Sequence, residues 1–230
     1  LKAVAVRVPV IPHVGTIRTS DAAELASSAY SDGVAAVSMI PPYYYKFSQD
    51  EIIGYYEDVV AKSGAPVIIY NIPQFTGVAF TKDNARRLLE NPKVVVVKHT
   101  STDLYALERM RSAFPDKVYF NGFDEMFLSA LAAGADSAIG TTVNLFAPRF
   151  NLIRQLFLQG SMAQALAEQE KVNHGVELFV RHGIFNAVKY AFTLAGLDCG
   201  RCRAPFKPLT ALAEQEIRQG MEILACALSS

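Results

Sequence analysis

The 230-residue chain has no excess of either charge, since 22 basic side chains stand against 22 acidic ones. A balanced chain has no general attraction for nucleic acid or anionic lipid, and its basic residues are scattered rather than gathered into a stripe. The expected ligand is therefore a small molecule held by local chemistry. Cysteine is scarce as well, limited to Cys199, Cys202 and Cys226. Cys199-Gly-Arg-Cys202 has the spacing of half a zinc knuckle, but no second pair follows and no histidine cluster lies near, so no metal is expected. Free thiols in a reducing cytoplasm are the simpler reading. No basic segment followed by an apolar one opens the chain, and no apolar run reaches the ~18 residues of a membrane span. A cytoplasmic protein without a membrane partner is expected.

What the chain does have is alternation. Short β-branched runs occur at Val4 to Ile11, Ala35 to Ile40, Val67 to Ile72, Val94 to Val97, Val118 to Phe120 and Ser137 to Ile139. Each is almost continuous, as parallel strands buried on both faces require. Helical stretches separate them. Ser48-Gln-Asp-Glu51 reads as a capping box opening a helix to about Ser63. Ser20 begins a helix ending near Gly33, Thr81 caps Lys82 to Leu89, and Ser101 or Thr102 caps a helix through Phe114. A short helix over Glu125 to Ala133 stops at Gly134. After the sixth run the pattern is helical over Ala147 to Gln159, Met162 to His182, Ile184 to Ala195 and Thr210 to Leu228.

Repeated strand–helix units imply a parallel sheet, either open or closed into a (β/α)8 TIM barrel. No Gly-rich phosphate loop follows the first run, which weakens the dinucleotide-binding open sheet. Polar or special residues follow almost every strand, which favours the barrel, whose active sites gather on that rim. About six βα units are expected in residues 1–145, with the last barrel helix and a helical extension in 146–230, all one structural domain.

Lys98 follows four valines and would leave a fully buried strand at the mouth of a dry interior. Desolvation there disfavours the ammonium and favours the free amine that attacks a ketone. The alternative is a lysine whose ammonium snorkels to the rim or pairs with a carboxylate. Tyr70 ends the neighbouring strand and could shuttle protons to an imine, or serve as an ordinary amphipathic rim residue. By position alone, Asp124-Glu125 read as helix-start acids favoured by the dipole. His13 could line the mouth, although a structural hydrogen bond is the simpler role. His99 should face away from Lys98.

Tyr70-Asn-Ile-Pro-Gln-Phe-Thr-Gly77, Val97-Lys-His-Thr100, Asn121-Gly-Phe-Asp-Glu125 and Ala138-Ile-Gly-Thr-Thr142, in this order, resemble the N-acetylneuraminate lyase subgroup of the dihydrodipicolinate synthase family. Pro42-Tyr-Tyr-Tyr-Lys-Phe-Ser48 and Cys202-Arg-Ala-Pro-Phe206 look like that subgroup as well. The resemblance spans essentially the whole chain. It implies a class I aldol lyase that reversibly cleaves N-acetylneuraminate, a sialic acid, to N-acetylmannosamine and pyruvate. No cofactor is implied beyond the covalent imine on Lys98. The resemblance makes Lys98 the imine-forming lysine and Tyr70 the proton relay. Tyr44 matches a tyrosine lent to a neighbouring subunit's site in a homotetramer. Thr100, Gly122, Asp124, Glu125, Gly140 and Thr141 match positions that contact substrate. Phe75 stands where dihydrodipicolinate synthases have an arginine for a substrate carboxylate, and a phenyl ring cannot make that contact. Thr141 stands where the lyases usually have serine, and Pro41 where a threonine usually precedes the Pro-aromatic pair.

The family fold has eight strands, and this chain, opening at Leu1, matches from the third. Two βα units, about 60 residues at ~30 per unit, would precede it and carry a Gly-Gly-Ser/Thr-Thr-Gly-Glu loop that binds the pyruvate carboxylate. A longer native protein, or a truncated relative with impaired catalysis, is therefore expected. Two further functions stay open: a lyase or dehydratase acting on another 2-keto-3-deoxy sugar acid, and a non-catalytic ligand-binding or regulatory relative.

Overall fold

The computed structural model describes residues 1–5 and 7–226. Within these limits the chain divides into two compact units, residues 1–122 with 132–136, and residues 123–131 with 137–226.

The first unit is α/β. Its elements are α1 (Thr19–Ser31), β1 (Val37–Met39), α2 (Gln49–Ser63), β2 (Val67–Asn71), α3 (Pro73–Thr76), α4 (Arg86–Leu89), β3 (Val94–His99), α5 (Leu104–Ala113) and β4 (Val118–Asn121). The four strands pair in sequence order, every pair parallel. Apolar runs without alternation suit parallel strands; β2 is buried along most of its length, whereas β3 leaves Val95 and Val96 half-buried. In α2 the buried residues Ile52, Ile53, Tyr56 and Val59 recur at helical spacing, and the Tyr56 hydroxyl donates to the Met39 carbonyl at 3.0 Å. The expected capping box is present: the Ser48 hydroxyl accepts from Glu51 N–H, and the Glu51 carboxylate accepts from Ser48 N–H. Gly64, at φ 64°, ends the helix in the left-handed region that glycine favours.

Three expectations are corrected here. Val4 to Ile11 is not a strand: residues 2–5 form a turn and the following segment is irregular, with Val6 outside the described residues. Pro9 and Pro12 carry no N–H, so a continuous ladder cannot form. Only intermittent pairing to β1 remains, through Val14 N–H to Ser38 O and Ser38 N–H to Pro12 O. Five strands, not six, occur among the described residues. The helix expected from Lys82 begins only at Arg86, because Thr81 and Asn84 bond each other's backbone N–H across the preceding turn. Asp103, rather than Ser101 or Thr102, caps α5 by accepting from Ala106 N–H at 3.0 Å.

The second unit holds a 3-10 turn (Asp124–Met126), α6 (Phe127–Ala132), β5 (Ser137–Ala138), α7 (Val143–Leu158), α8 (Met162–Arg181), α9 (Ile184–Leu194) and α10 (Ala211–Cys226). Residues 227–228 of the last expected helix lie outside the described residues. Phe127, Phe146, Phe150, Val172, Phe179 and Ile217 belong to its apolar core. α7 starts four residues earlier than expected and breaks at Phe146, two residues before Pro148, which has no N–H to give. No helix among the described residues is long and apolar enough to cross a membrane.

A buried polar chain ties β2, β3 and α5 together. Asn71 Nδ2 donates to His99 Nδ1 at 3.0 Å and to Phe80 O, while its Oδ1 accepts from Phe80 N–H. The other histidine nitrogen, Nε2, therefore carries the hydrogen and donates to Asp103 O at 3.0 Å. Burial holds the His99 imidazole below its ordinary value, against the opposing hydrogen bond and charge of Asp103. A histidine depressed in the folded state gives full stability above its unfolded value, about 6.5, and loses it as pH falls through the folded one. Urea unfolding should accordingly show lower stability at pH 5 than at pH 7.5. His99→Gln should flatten that slope and cost about 1–3 kcal/mol at neutral pH.

Candidate active site

Lys98 and Tyr70 are register partners on adjacent parallel strands. The register is not the simple one. Val67 pairs with Val94 but Ile68 pairs with Val96, so Val95 is passed over. Without that one-residue bulge Tyr70 would oppose Val97, and Lys98 would lie beside Asn71. With it, the Lys98 ammonium sits 3.8 Å from the centre of the Tyr70 ring. A cation over an aromatic face is held by the ring quadrupole. Both side chains are half-buried, and the next pair along, Asn71 and His99, points the other way into the polar chain described above. His99 faces away from Lys98, as expected.

Thr100 and Gly122 meet beyond the strand ends. Thr100 is buried, and its Oγ1 has no hydrogen-bond partner within the protein. A Cβ on Gly122 would stand 1.7 Å from that oxygen. Gly122 N–H donates to the His99 carbonyl at 2.9 Å, which fixes the close approach. Any side chain at 122 would displace the hydroxyl, so the glycine is required for space.

In the second unit Asp124 is buried, and its Oδ2 accepts from both Thr142 N–H and the Thr142 hydroxyl, each at 2.7 Å. A Cβ on Gly140 would lie 1.4 Å from Asp124 Oδ1. Gln169 braces the same turn by donating to Asp124 O and accepting from Leu128 N–H. Glu125 is exposed on the 3-10 turn, and Thr141 is half-buried with its carbonyl accepting from Asn144. Sequence reasoning chose Thr141 and missed Thr142 and Gln169. Adjacent threonines give no sign of which one turns inward, and Gln169 lies about forty positions downstream on α8.

Tyr44 is placed apart. It is 84% exposed, with φ 81°, and its ring lies edge-on to Tyr45. It does not pack on the Lys98–Tyr70 pair. A non-glycine residue in the left-handed region is uncommon and costs free energy. Phe75 is also exposed, on α3. His13, expected to have a structural hydrogen bond, accepts one at Nε2 from Ile40 N–H at 3.3 Å. It also stands edge-on to the Tyr70 ring, with centroids 6.4 Å apart, and the surrounding protein together with the Lys98 charge holds its imidazole below the ordinary value. Cys199 and Cys202 are free thiols, and among the described residues no group of three or more His, Cys, Asp or Glu side chains is arranged to hold a metal.

The two close approaches give one expected outcome. Gly122→Ala and Gly140→Ala should each lower the unfolding free energy by about 1–3 kcal/mol in chemical denaturation. Thr100→Gly should relieve much of the Gly122→Ala cost in a double-mutant cycle.

The chain matches the Dihydrodipicolinate synthetase family over residues 1–224. It is 40% identical over 199 residues to N-acetylneuraminate lyase of Actinobacillus pleuropneumoniae serotype 5b, covering 86% of this chain and 68% of that one. The structure of N-acetylneuraminate lyase from Fusobacterium nucleatum complexed with pyruvate superposes with a TM-score of 0.92 at 35% identity, covering 97% of this chain and 75% of the other. A catalytic lysine mutant of Ruminococcus gnavus sialic acid aldolase superposes with a TM-score of 0.94 at 27% identity, covering 99% and 76%. The chain belongs to the dihydrodipicolinate synthetase family, and within it is similar to N-acetylneuraminate lyases, which are carbon–carbon lyases.

Proposed function

We propose that this chain is a class I aldol lyase that reversibly cleaves N-acetylneuraminate to N-acetylmannosamine and pyruvate through an imine on Lys98. The observation that carries the reading is the Lys98 amine resting on the Tyr70 ring at the ends of two parallel strands. The unprotonated amine adds to the C2 ketone of the open-chain sugar acid, and loss of water gives the iminium. Tyr70 gives its hydroxyl proton to the departing water as the iminium forms. The resulting phenolate takes the proton of the C4 hydroxyl as the C3–C4 bond breaks, its electron pair flowing into the iminium to leave an enamine. Protonation at C3 and hydrolysis then release pyruvate and regenerate the amine. Each proton transfer needs a donor or acceptor within hydrogen-bond reach, and the Tyr70 hydroxyl, carried on the ring that bears the amine, is assigned that role.

The buried Thr100 hydroxyl, with no partner in the protein, is suited to a substrate oxygen. Gly122 and Gly140 belong to the site as the positions that admit Thr100 and Asp124. Asp124, Glu125 and Thr141 are assigned to the sugar chain, Asp124 oriented by Thr142. Barrel architecture of the (β/α)8 type and a homotetramer belong to the same proposal. Tyr44, exposed and held in the left-handed region, is suited to reach a neighbouring subunit.

Borohydride reduction in the presence of pyruvate should label Lys98 and no other lysine, read by peptide mass mapping. Label elsewhere, or label that persists in Lys98→Ala, would overturn the mechanism. Tyr70→Phe should lower kcat by about 100-fold or more while KM changes far less. A panel of 2-keto sugar acids assayed for pyruvate release decides the substrate: faster turnover of a 2-keto-3-deoxy sugar acid than of N-acetylneuraminate would replace the sialic acid assignment.

A further inference from the structure

We propose that His13 is a positioning residue for the Lys98 amine, acting as an uncharged wedge that fixes the Tyr70 ring on which the amine rests. The proposal rests on the Lys98 imine reading and adds a third member to that pair. His13 lies on the irregular segment before α1, yet its backbone is anchored, bridged to Ser38 of β1. The ring is located by three separate contacts. Ile40 N–H donates to Nε2 at 3.3 Å. A Cβ on Gly15 would stand 2.9 Å from His13 Cε1 and 2.9 Å from Ile40 N, so glycine at 15 leaves the space that the imidazole and its hydrogen bond need. On another side the ring meets Tyr70 edge to face, with an interplanar angle of 81°.

The Ile40 contact also selects the charge state. A backbone N–H can donate to Nε2 only while that nitrogen keeps its lone pair, so the ring is neutral with its hydrogen on Nδ1. Protonation would set two donors against each other and place a second cation near Lys98. The depressed imidazole value agrees with this, its causes being the surrounding protein and the Lys98 charge. An aromatic edge against Tyr70 restricts the tyrosine ring, whose other role is to bear the amine at 3.8 Å. A neutral wedge thus holds the ring without competing for the cation.

The test compares wild type with His13→Ala, His13→Gln and His13→Arg. Glutamine keeps a neutral acceptor for Ile40 N–H, whereas arginine supplies the second cation. The readouts are the initial rate of borohydride trapping with pyruvate and the rate of Lys98 modification by trinitrobenzenesulfonate, both by peptide mapping. His13→Ala should slow trapping about tenfold, with the pyruvate concentration for half-maximal trapping changed less than about twofold. His13→Gln, which keeps the neutral acceptor but not the aromatic edge, should fall between wild type and the alanine variant, and His13→Arg should fall below the alanine variant. If alanine does not fold, the glutamine–arginine contrast carries the same decision. Equal trapping in all folded variants overturns the role of His13. No trapping in wild type overturns the imine reading instead. The inference about His13 then stands if trinitrobenzenesulfonate reactivity of Lys98 separates the variants in the same order, and falls if it does not.

Discussion

The pairing of β3 with β2 slips by one residue after Val67, and the arrangement of polar groups in the first unit depends on that slip. Side chains alternate along a strand, so one residue of register decides which neighbours meet. Here it sends Tyr70 and Lys98 to one face and Asn71 and His99 to the other. On the first face an amine lies on an aromatic ring. On the second, two buried polar side chains satisfy each other, and His99 hands the connection on to Asp103, whose carboxylate caps α5. The Lys98–Tyr70 face and the Asn71–His99 face are thus two outcomes of one pairing. Burial of the second face keeps the strand ends from shifting, because an unsatisfied buried amide or imidazole costs more than a lost surface bond.

Much of this was legible in the sequence. The continuous apolar runs located four strands of the first unit, although β3 and β4 are less covered than such runs suggest, with Val95 and Val96 half-buried and Val118 exposed. Ser48 and Glu51 announced the start of α2, because their reciprocal bonds need only local chain. Lys98 and Tyr70 could be singled out by strand-end position, and the resemblance gave them roles. The bulge at Val95 could not be read, as four consecutive valines are indistinguishable until a partner strand sets their register. The first run misled because hydrophobicity alone suggested a strand, while Pro9 and Pro12 removed the donors that a ladder needs. Thr142 stayed hidden beside Thr141, since only the position of Asp124 decides which hydroxyl bonds to its carboxylate.

His13 shows a different kind of gap. The residue was visible and its hydrogen bond was expected, but its neighbourhood was not. His13 and Tyr70 are separated by 57 positions, and only the sheet brings their rings together at 6.4 Å. The available signal was Gly15, a glycine two residues on whose place in the chain is explained by the room that the imidazole takes.

Gly122 and Gly140 share a property that reaches past the residues they touch. At each, an oxygen of another side chain, Thr100 Oγ1 or Asp124 Oδ1, occupies the volume where a first side-chain carbon would stand. Every other amino acid has that carbon, so alanine and lysine fail there for the same reason. Natural variation at these two positions therefore reports on crowding alone. A relative that replaces either glycine must also have moved the oxygen, and with it the hydroxyl or carboxylate that the glycine now admits.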